Sequence, residues 1–133
     1  LHLGFTELRP QYFEALPFHP ALRTLNLVAT PTANAEVRKL AQCARLAELG
    51  LEETLITDPA VGFLRPLASR LTRLHLSYNR ITEGCLIDLY ELSALRNLQL
   101  RATHIDRSSA NSLLSALPQL GAETADGGQG LTW

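Results

Sequence analysis

The sequence predicts an α/β fold: a curved parallel sheet, faced on its other side by short helices and assembled from about five similar units. Two observations carry the prediction. A short leucine pattern recurs at a nearly fixed period, and each recurrence passes from strand-like alternation to apolar residues three apart. The core composition agrees. The chain has 28 leucines in 133 residues and only 6% aromatics, as a core made from one repeated packing unit would.

The repeat is read directly. "LRTLNLVAT" begins at Leu22, "LAELGLEET" at Leu46, "LTRLHLSYN" at Leu71 and "LRNLQLRAT" at Leu95, spaced by 24, 25 and 24 residues. A further 25 residues reach "LGAETADGG" at Leu120, where Glu123 and Ala125 replace the second and third leucines. Leu1 and Leu3 match Leu25 and Leu27, so residues 1–21 form a partial unit. Residues 1–125 are thus expected to be one array, and residues 126–133, with their "DGGQG", a flexible tail or a terminal cap carrying Trp133.

Within a unit, L-x-x-L-x-L is a short strand whose alternating leucines point to the core. Thr6, Thr30, Thr54, Asn79 and Thr103 then fall where the chain turns inward. A side-chain oxygen or amide there can pair backbone groups that the turn hides from water. Leu8, Thr32, Ile56, Ile81 and Ile105 follow as plugs. The second half returns as a short helix with its apolar pair inward: Phe13 and Leu16, Val37 and Leu40, Val61 and Leu64, Leu86 and Leu89, Ala110 and Leu113. Asp58 and Asp106 are placed to cap helices, and Pro59 suits a first helical turn.

The motif L-x-x-L-x-L-x-x-(N/T)-x-(I/L), repeated in register, resembles that of leucine-rich repeat proteins over nearly the whole chain. "LAQCARLAEL" at 40–49 and "ETLITD" at 53–58 are similar to the cysteine-containing repeats of F-box substrate receptors, although one unit alone carries the Cys. The resemblance implies a leucine-rich repeat solenoid with its strands on a concave face, helices on a convex face, and a partner protein held on the strands. It also implies two alternatives: a substrate receptor of an F-box-type ubiquitin ligase, or a regulator such as a GTPase activator. A structural subunit of a large assembly fits the same features.

Composition narrows the partner class. A net charge of −1 gives no footprint for nucleic acid or an anionic membrane. No apolar run approaches the ~18 residues of a membrane span. Two cysteines and no N-x-S/T sequon suit the cytoplasm or another reducing compartment. Cys43 sits at an inward helical position as a small apolar residue, two units from Cys85 and out of disulfide reach. No two of His2, His19, His75 and His104 have a zinc-ligand spacing, and there is no phosphate-cradling glycine loop. Neither an enzyme nor a cofactor is expected. Self-association through uncapped ends is.

Alternate strand residues point away from the core. They are Thr24, Glu48, Arg73, Asn97 and Ala122; then His2, Asn26, Gly50, His75, Gln99 and Thr124; then Gly4, Val28, Glu52, Ser77, Arg101 and Asp126. Phe5, Glu53 and Tyr78 lie at the seam beyond. Glu48 is a lateral neighbour of Arg73, and Arg101 of Asp126, and Gly50 leaves a dent between Asn26 and His75. The candidate partner-binding residues are Glu48, Glu52, Arg73, His75, Ser77, Tyr78, Gln99 and Arg101. Arg and Tyr are the types enriched at binding hot spots.

Overall fold

Four strands of three residues form where the leucine motif predicts them: β1 (Thr24–Asn26), β2 (Glu48–Gly50), β3 (Arg73–His75) and β4 (Asn97–Gln99). The computed structural model describes residues 1–16, 19–121 and 130–133. Neighbouring strands are parallel and pair leucine to leucine: Leu25 with Leu49, Leu49 with Leu74, and Leu74 with Leu98. The partial first unit joins the same edge, through Leu3 N–H to the Asn26 carbonyl (2.8 Å) and Asn26 N–H to the Leu1 carbonyl (2.9 Å).

One face of this five-stranded sheet is covered by the short helices α1 (Tyr12–Ala15), α2 (Asn34–Leu40), α3 (Asp58–Phe63), α4 (Leu86–Glu91) and α5 (Arg107–Ala116). Between the layers Leu25, Leu27, Leu74, Leu76 and Leu98 are 0% exposed. Burying each such side chain contributes roughly 2 kcal/mol. The predicted helical pairs face the same core, with Leu86 half-buried rather than fully covered. Cys43 and Cys85 are free and buried in it.

The turn after each strand has one recurring construction. Phe5, Ala29, Glu53, Tyr78 and Ala102, at one position of successive units, all have φ between 52° and 60°. This is the left-handed region, unfavourable for side chains other than glycine. The next residue closes the turn. Hydroxyls of Thr6, Thr30, Thr54 and Thr103 donate to the carbonyls of Leu3, Leu27, Leu51 and Leu100, at 2.6 to 2.9 Å. In the unit that begins at Leu71, Asn79 does this through its amide to the Leu76 carbonyl (3.0 Å). The predicted role of the turn residue is therefore observed in every described unit.

Two expectations are corrected. Asp58 does not cap α3: it is that helix's first residue, and its carboxylate accepts the backbone N–H (2.6 Å) and the hydroxyl of Thr82 in the next unit. Asn34 ties its unit to Thr57 in the same way, accepting the Thr57 N–H (2.9 Å) and donating to its hydroxyl (2.7 Å). Asp106 does cap α5, through the Ser109 N–H (2.7 Å).

The second correction concerns the last strand. The predicted strand positions of the unit at Leu120 lie outside the described residues, and the strand beside β4 is β5 (Leu131–Thr132), paired Leu98 to Leu131 and Gln99 to Thr132. Residues 130–133 therefore extend the sheet. Gly130 allows the approach: a Cβ there would lie 2.5 Å from the Leu120 carbonyl oxygen and 2.6 Å from that of Arg96.

Candidate functional site

The sheet face turned away from the helices carries the predicted candidates. Strand pairing sets the spacing between rows, and pleating selects which residues emerge. Glu48 and Arg73 are lateral partners in β2 and β3, with Arg73 Nε 3.9 Å from Glu48 Oε1. Both side chains stay substantially exposed, so this is a loose surface pair. The predicted partner of Arg101, Asp126, lies outside the described residues.

Glu52, His75 and Asn97 form a tighter chain. Glu52 Oε1 is 3.2 Å from His75 Nδ1, and His75 Nε2 is 3.1 Å from Asn97 Oδ1. The carboxylate on one side fixes the imidazole's orientation, because Nδ1–H is the donor that Glu52 can accept. The other carboxylate oxygen, Glu52 Oε2, is shut off from solvent and has no hydrogen-bond partner among the described residues. A buried acceptor left unpaired costs roughly 1–3 kcal/mol. Among the described residues it is one of two such side-chain atoms, the other being Thr132 Oγ1.

Beside this chain the predicted dent is present. Gly50 forms part of a depression of about 170 Å³ lined by His2, Thr24, Asn26, Glu48, Arg73 and His75, with Leu25 and Leu49 beneath. The residues flanking Gly50 in its row, Asn26 and His75, both carry side chains, so the missing Cβ opens the surface there.

Ser77 departs from its predicted place. It is 3% exposed, and its hydroxyl oxygen accepts the backbone N–H of Arg101 (3.1 Å). It belongs to the junction of β3 with β4 and is not offered to a partner. Gln99 is half-buried and Arg101 exposed. Tyr78 stands at the rim, 56% exposed on its left-handed backbone. Next to it a groove of about 400 Å³ runs along Leu55, Ile56, Asn79 and Arg80.

Three contributors were not among the sequence-derived candidates: Asn97, whose Oδ1 lies 3.1 Å from His75 Nε2, and Asn26 and His2, which wall the dent. Each occupies an outward strand position. The signal that could have selected them is adjacency to Gly50 and His75 in the lateral rows. Among the described residues no group of three or more His, Cys, Asp or Glu is placed to hold a metal ion. No described helix is long and apolar enough to cross a membrane.

No family model and no curated protein matches the chain. Among solved structures it is similar to leiomodin-1 actin-binding site 2, with a TM-score of 0.67 over 87% of this chain and 78% of that one. Their sequence identity is 19%, so the likeness establishes a common fold and nothing about partners.

Proposed function

We propose that the chain is a leucine-rich repeat solenoid serving as a protein-interaction scaffold, with its open strand face as the binding surface. The observation that carries this reading is the asymmetry of the sheet. One face is sealed by leucine and helices, while the other presents Glu48, Arg73 and His75 on the neighbouring parallel strands β2 and β3, with Glu52 and Arg101 just past the ends of β2 and β4. Such a surface is held by the backbone ladder before any partner arrives, so little ordering entropy is lost on binding. The leiomodin-1 module supports the reading in a limited way: a structure of this fold acts as a binding site for a protein. Two free buried cysteines accord with a reducing compartment.

The test is cross-linking of the chain to its cellular partners, followed by affinity measurement on the captured protein. Arg73→Ala with Arg101→Ala is expected to weaken binding about thirtyfold or more, the usual cost of removing a hot spot. Arg38→Ala with Glu91→Ala, on the helix side, is expected to leave it within about twofold. The reverse result would place the partner on the helices and end this reading.

A further inference from the structure

We propose that the edge of the array where helices return to strands docks an acidic peptide segment of a partner protein, along Arg23, Arg45, Arg70 and Arg96. This surface is separate from the strand face and does not depend on that reading.

Sequence sets the charge. The segments that follow the helices, residues 16–23, 41–47, 64–72, 92–96 and 117–121, hold five arginines and no Asp or Glu. All 13 carboxylate residues of the chain fall elsewhere. The segments that lead from strands into helices, 4–11, 27–33, 51–57, 76–85 and 100–106, instead mix five carboxylates with three arginines. Of the five edge arginines, Arg65 pairs with Asp88 at 2.9 Å. The other four are exposed and make no ion pair among the described residues.

The backbone sets the spacing. The Arg23 carbonyl accepts the Ala47 and Glu48 N–H groups (2.8 and 2.9 Å), and the Ala47 carbonyl those of Thr72 and Arg73 (2.8 and 3.1 Å). The Thr72 carbonyl accepts those of Arg96 and Asn97 (2.9 and 3.0 Å). Arg23, Ala47, Thr72 and Arg96 thus form one lateral row, and Arg45 and Arg70 stand two residues before its middle members. Four consecutive units each bring one guanidinium, rooted at strand-to-strand steps of about 4.8 Å, so the stripe runs about 14 Å. An extended chain covers that length with about five residues. Carboxylates match the guanidinium fork with two hydrogen bonds each.

The width of the stripe selects the occupant. A duplex or a membrane would extend past it onto the surfaces that hold the chain's carboxylates. A single nucleic-acid strand stacks its bases on aromatic rings, and the described residues of these segments include no Phe, Tyr or Trp. An acid-rich peptide needs neither a wider cationic surface nor a ring.

The experiment is an amide NMR titration of the whole chain with four probes: acetylated hexaglutamate amide, acetylated hexalysine amide, a ten-residue oligothymidylate, and vesicles of phosphatidylserine with phosphatidylcholine. Saturable shifts centred on Arg23, Arg45, Arg70 and Arg96 are expected with hexaglutamate, fading as salt is raised, and at least about tenfold weaker or absent with the other three. Arg45→Gln with Arg70→Gln is expected to weaken hexaglutamate at least about tenfold and, both residues being exposed, to leave the melting temperature unchanged. Arg73→Gln with Arg101→Gln, on the strand face and its margin, is expected to leave it within about twofold. The proposal is overturned if hexalysine shifts the same residues, if the oligothymidylate or the vesicles bind there as tightly as hexaglutamate, or if no probe binds. It is equally overturned if the Arg45 and Arg70 variant responds like the parent, or if the Arg73 and Arg101 variant loses as much. Partner binding on the strand face is read by its own variants, so the failure of one surface leaves the other standing.

Discussion

Asn79 ties the unit that begins at Leu71 to the one that begins at Leu46: its amide nitrogen donates to the Leu51 carbonyl at 2.6 Å, across 28 residues of sequence. The same side chain donates to the Leu76 carbonyl of its own turn (3.0 Å) and accepts the Thr54 N–H with its oxygen (2.9 Å). The threonines at this position in the other units reach their own turn's carbonyl. Asn79 also satisfies two groups of a neighbour, and it is 5% exposed.

Replacing Asn79 by Ala therefore takes this partner from the Leu76 carbonyl and the Thr54 N–H, while the Leu51 carbonyl keeps the Thr54 hydroxyl. The expected loss is about 1–3 kcal/mol of unfolding free energy in a denaturant melt. Asn79→Thr restores the bond to Leu76 and is expected to recover part of it. Arg80→Ala, at the next and exposed position, is expected to change stability by less than about 0.5 kcal/mol. Equal stabilities for the Asn79 and Arg80 variants would remove Asn79 from the turn's support.

Ala102 tests the strained turn itself. Its φ is 52° and its side chain is exposed, so a change there alters backbone preference with little packing loss. Ala102→Gly is expected to raise stability by up to about 1 kcal/mol, and a β-branched Ala102→Val to lower it by about as much or more. A melt in which Ala102→Gly is no more stable than Ala102→Val would show that the left-handed turn carries no strain.

Strand positions, inward leucines and the turn-closing Thr or Asn were legible because each depends on spacing along the chain. Leu25, Leu49, Leu74 and Leu98 pair across the sheet as their period requires. The left-handed turn was not legible, because Phe5, Ala29, Glu53, Tyr78 and Ala102 share no chemistry. The cross-unit tie of Asp58 to Thr82 was hidden by a local capping signal that a second carboxylate geometry outcompeted. In the site, the Glu48–Arg73 contact and the Gly50 dent followed from register. The burial of Ser77 did not, because a small hydroxyl can turn to a neighbouring backbone N–H as readily as to solvent.

Gly130 sets how β5 docks. Its missing Cβ leaves room for the Leu120 and Arg96 carbonyls, and the strand it leads accepts hydrogen bonds from Leu98 N–H (2.6 Å, to Gly130) and Leu100 N–H (2.7 Å, to Thr132). Gly130→Ala forces backbone apart and is expected to cost about 1–3 kcal/mol. Hydrogen exchange reads it locally: Leu98 and Leu100 amides are expected to lose protection while Leu74 keeps its own. Unchanged protection at Leu98 would mean that β5 tolerates a side chain at that point.

Asp106 gives the acid limb of stability. The hydrogen bond from the Ser109 N–H holds its carboxyl below the usual carboxylate range. A carboxylate with a lowered folded value stabilises the fold above the unfolded value and loses that contribution as pH falls through the folded one. Asp106→Asn keeps an acceptor for Ser109 without the titration, so its melts are expected to flatten relative to the parent below about pH 4. Asp106→Ala is expected to lower stability at neutral pH as well. An unchanged acid limb in both would show that the cap does not contribute through its charge.

Cys85 governs the alkaline side. It is fully buried at the start of α4, and burial, followed by the nearby Asp58 and Asp88 carboxylates, pushes its thiol up to about 12 from an ordinary value near 9. The neutral thiol is thus the form the fold accepts. In the unfolded chain the thiol ionises from about pH 9, so between 9 and 12 the unfolded state binds fewer protons and stability falls as pH rises. Cys85→Ala is expected to lose this part of the alkaline slope while paying a small cavity cost at pH 7. The same burial denies the thiolate to reagents. Thiol labelling of Cys85 at pH 8 is therefore expected to proceed only through opening of the fold, and to slow when the fold is stabilised by Ala102→Gly. Rapid labelling of the native chain, indifferent to such stabilisation, would place Cys85 within reach of solvent and remove it from the core.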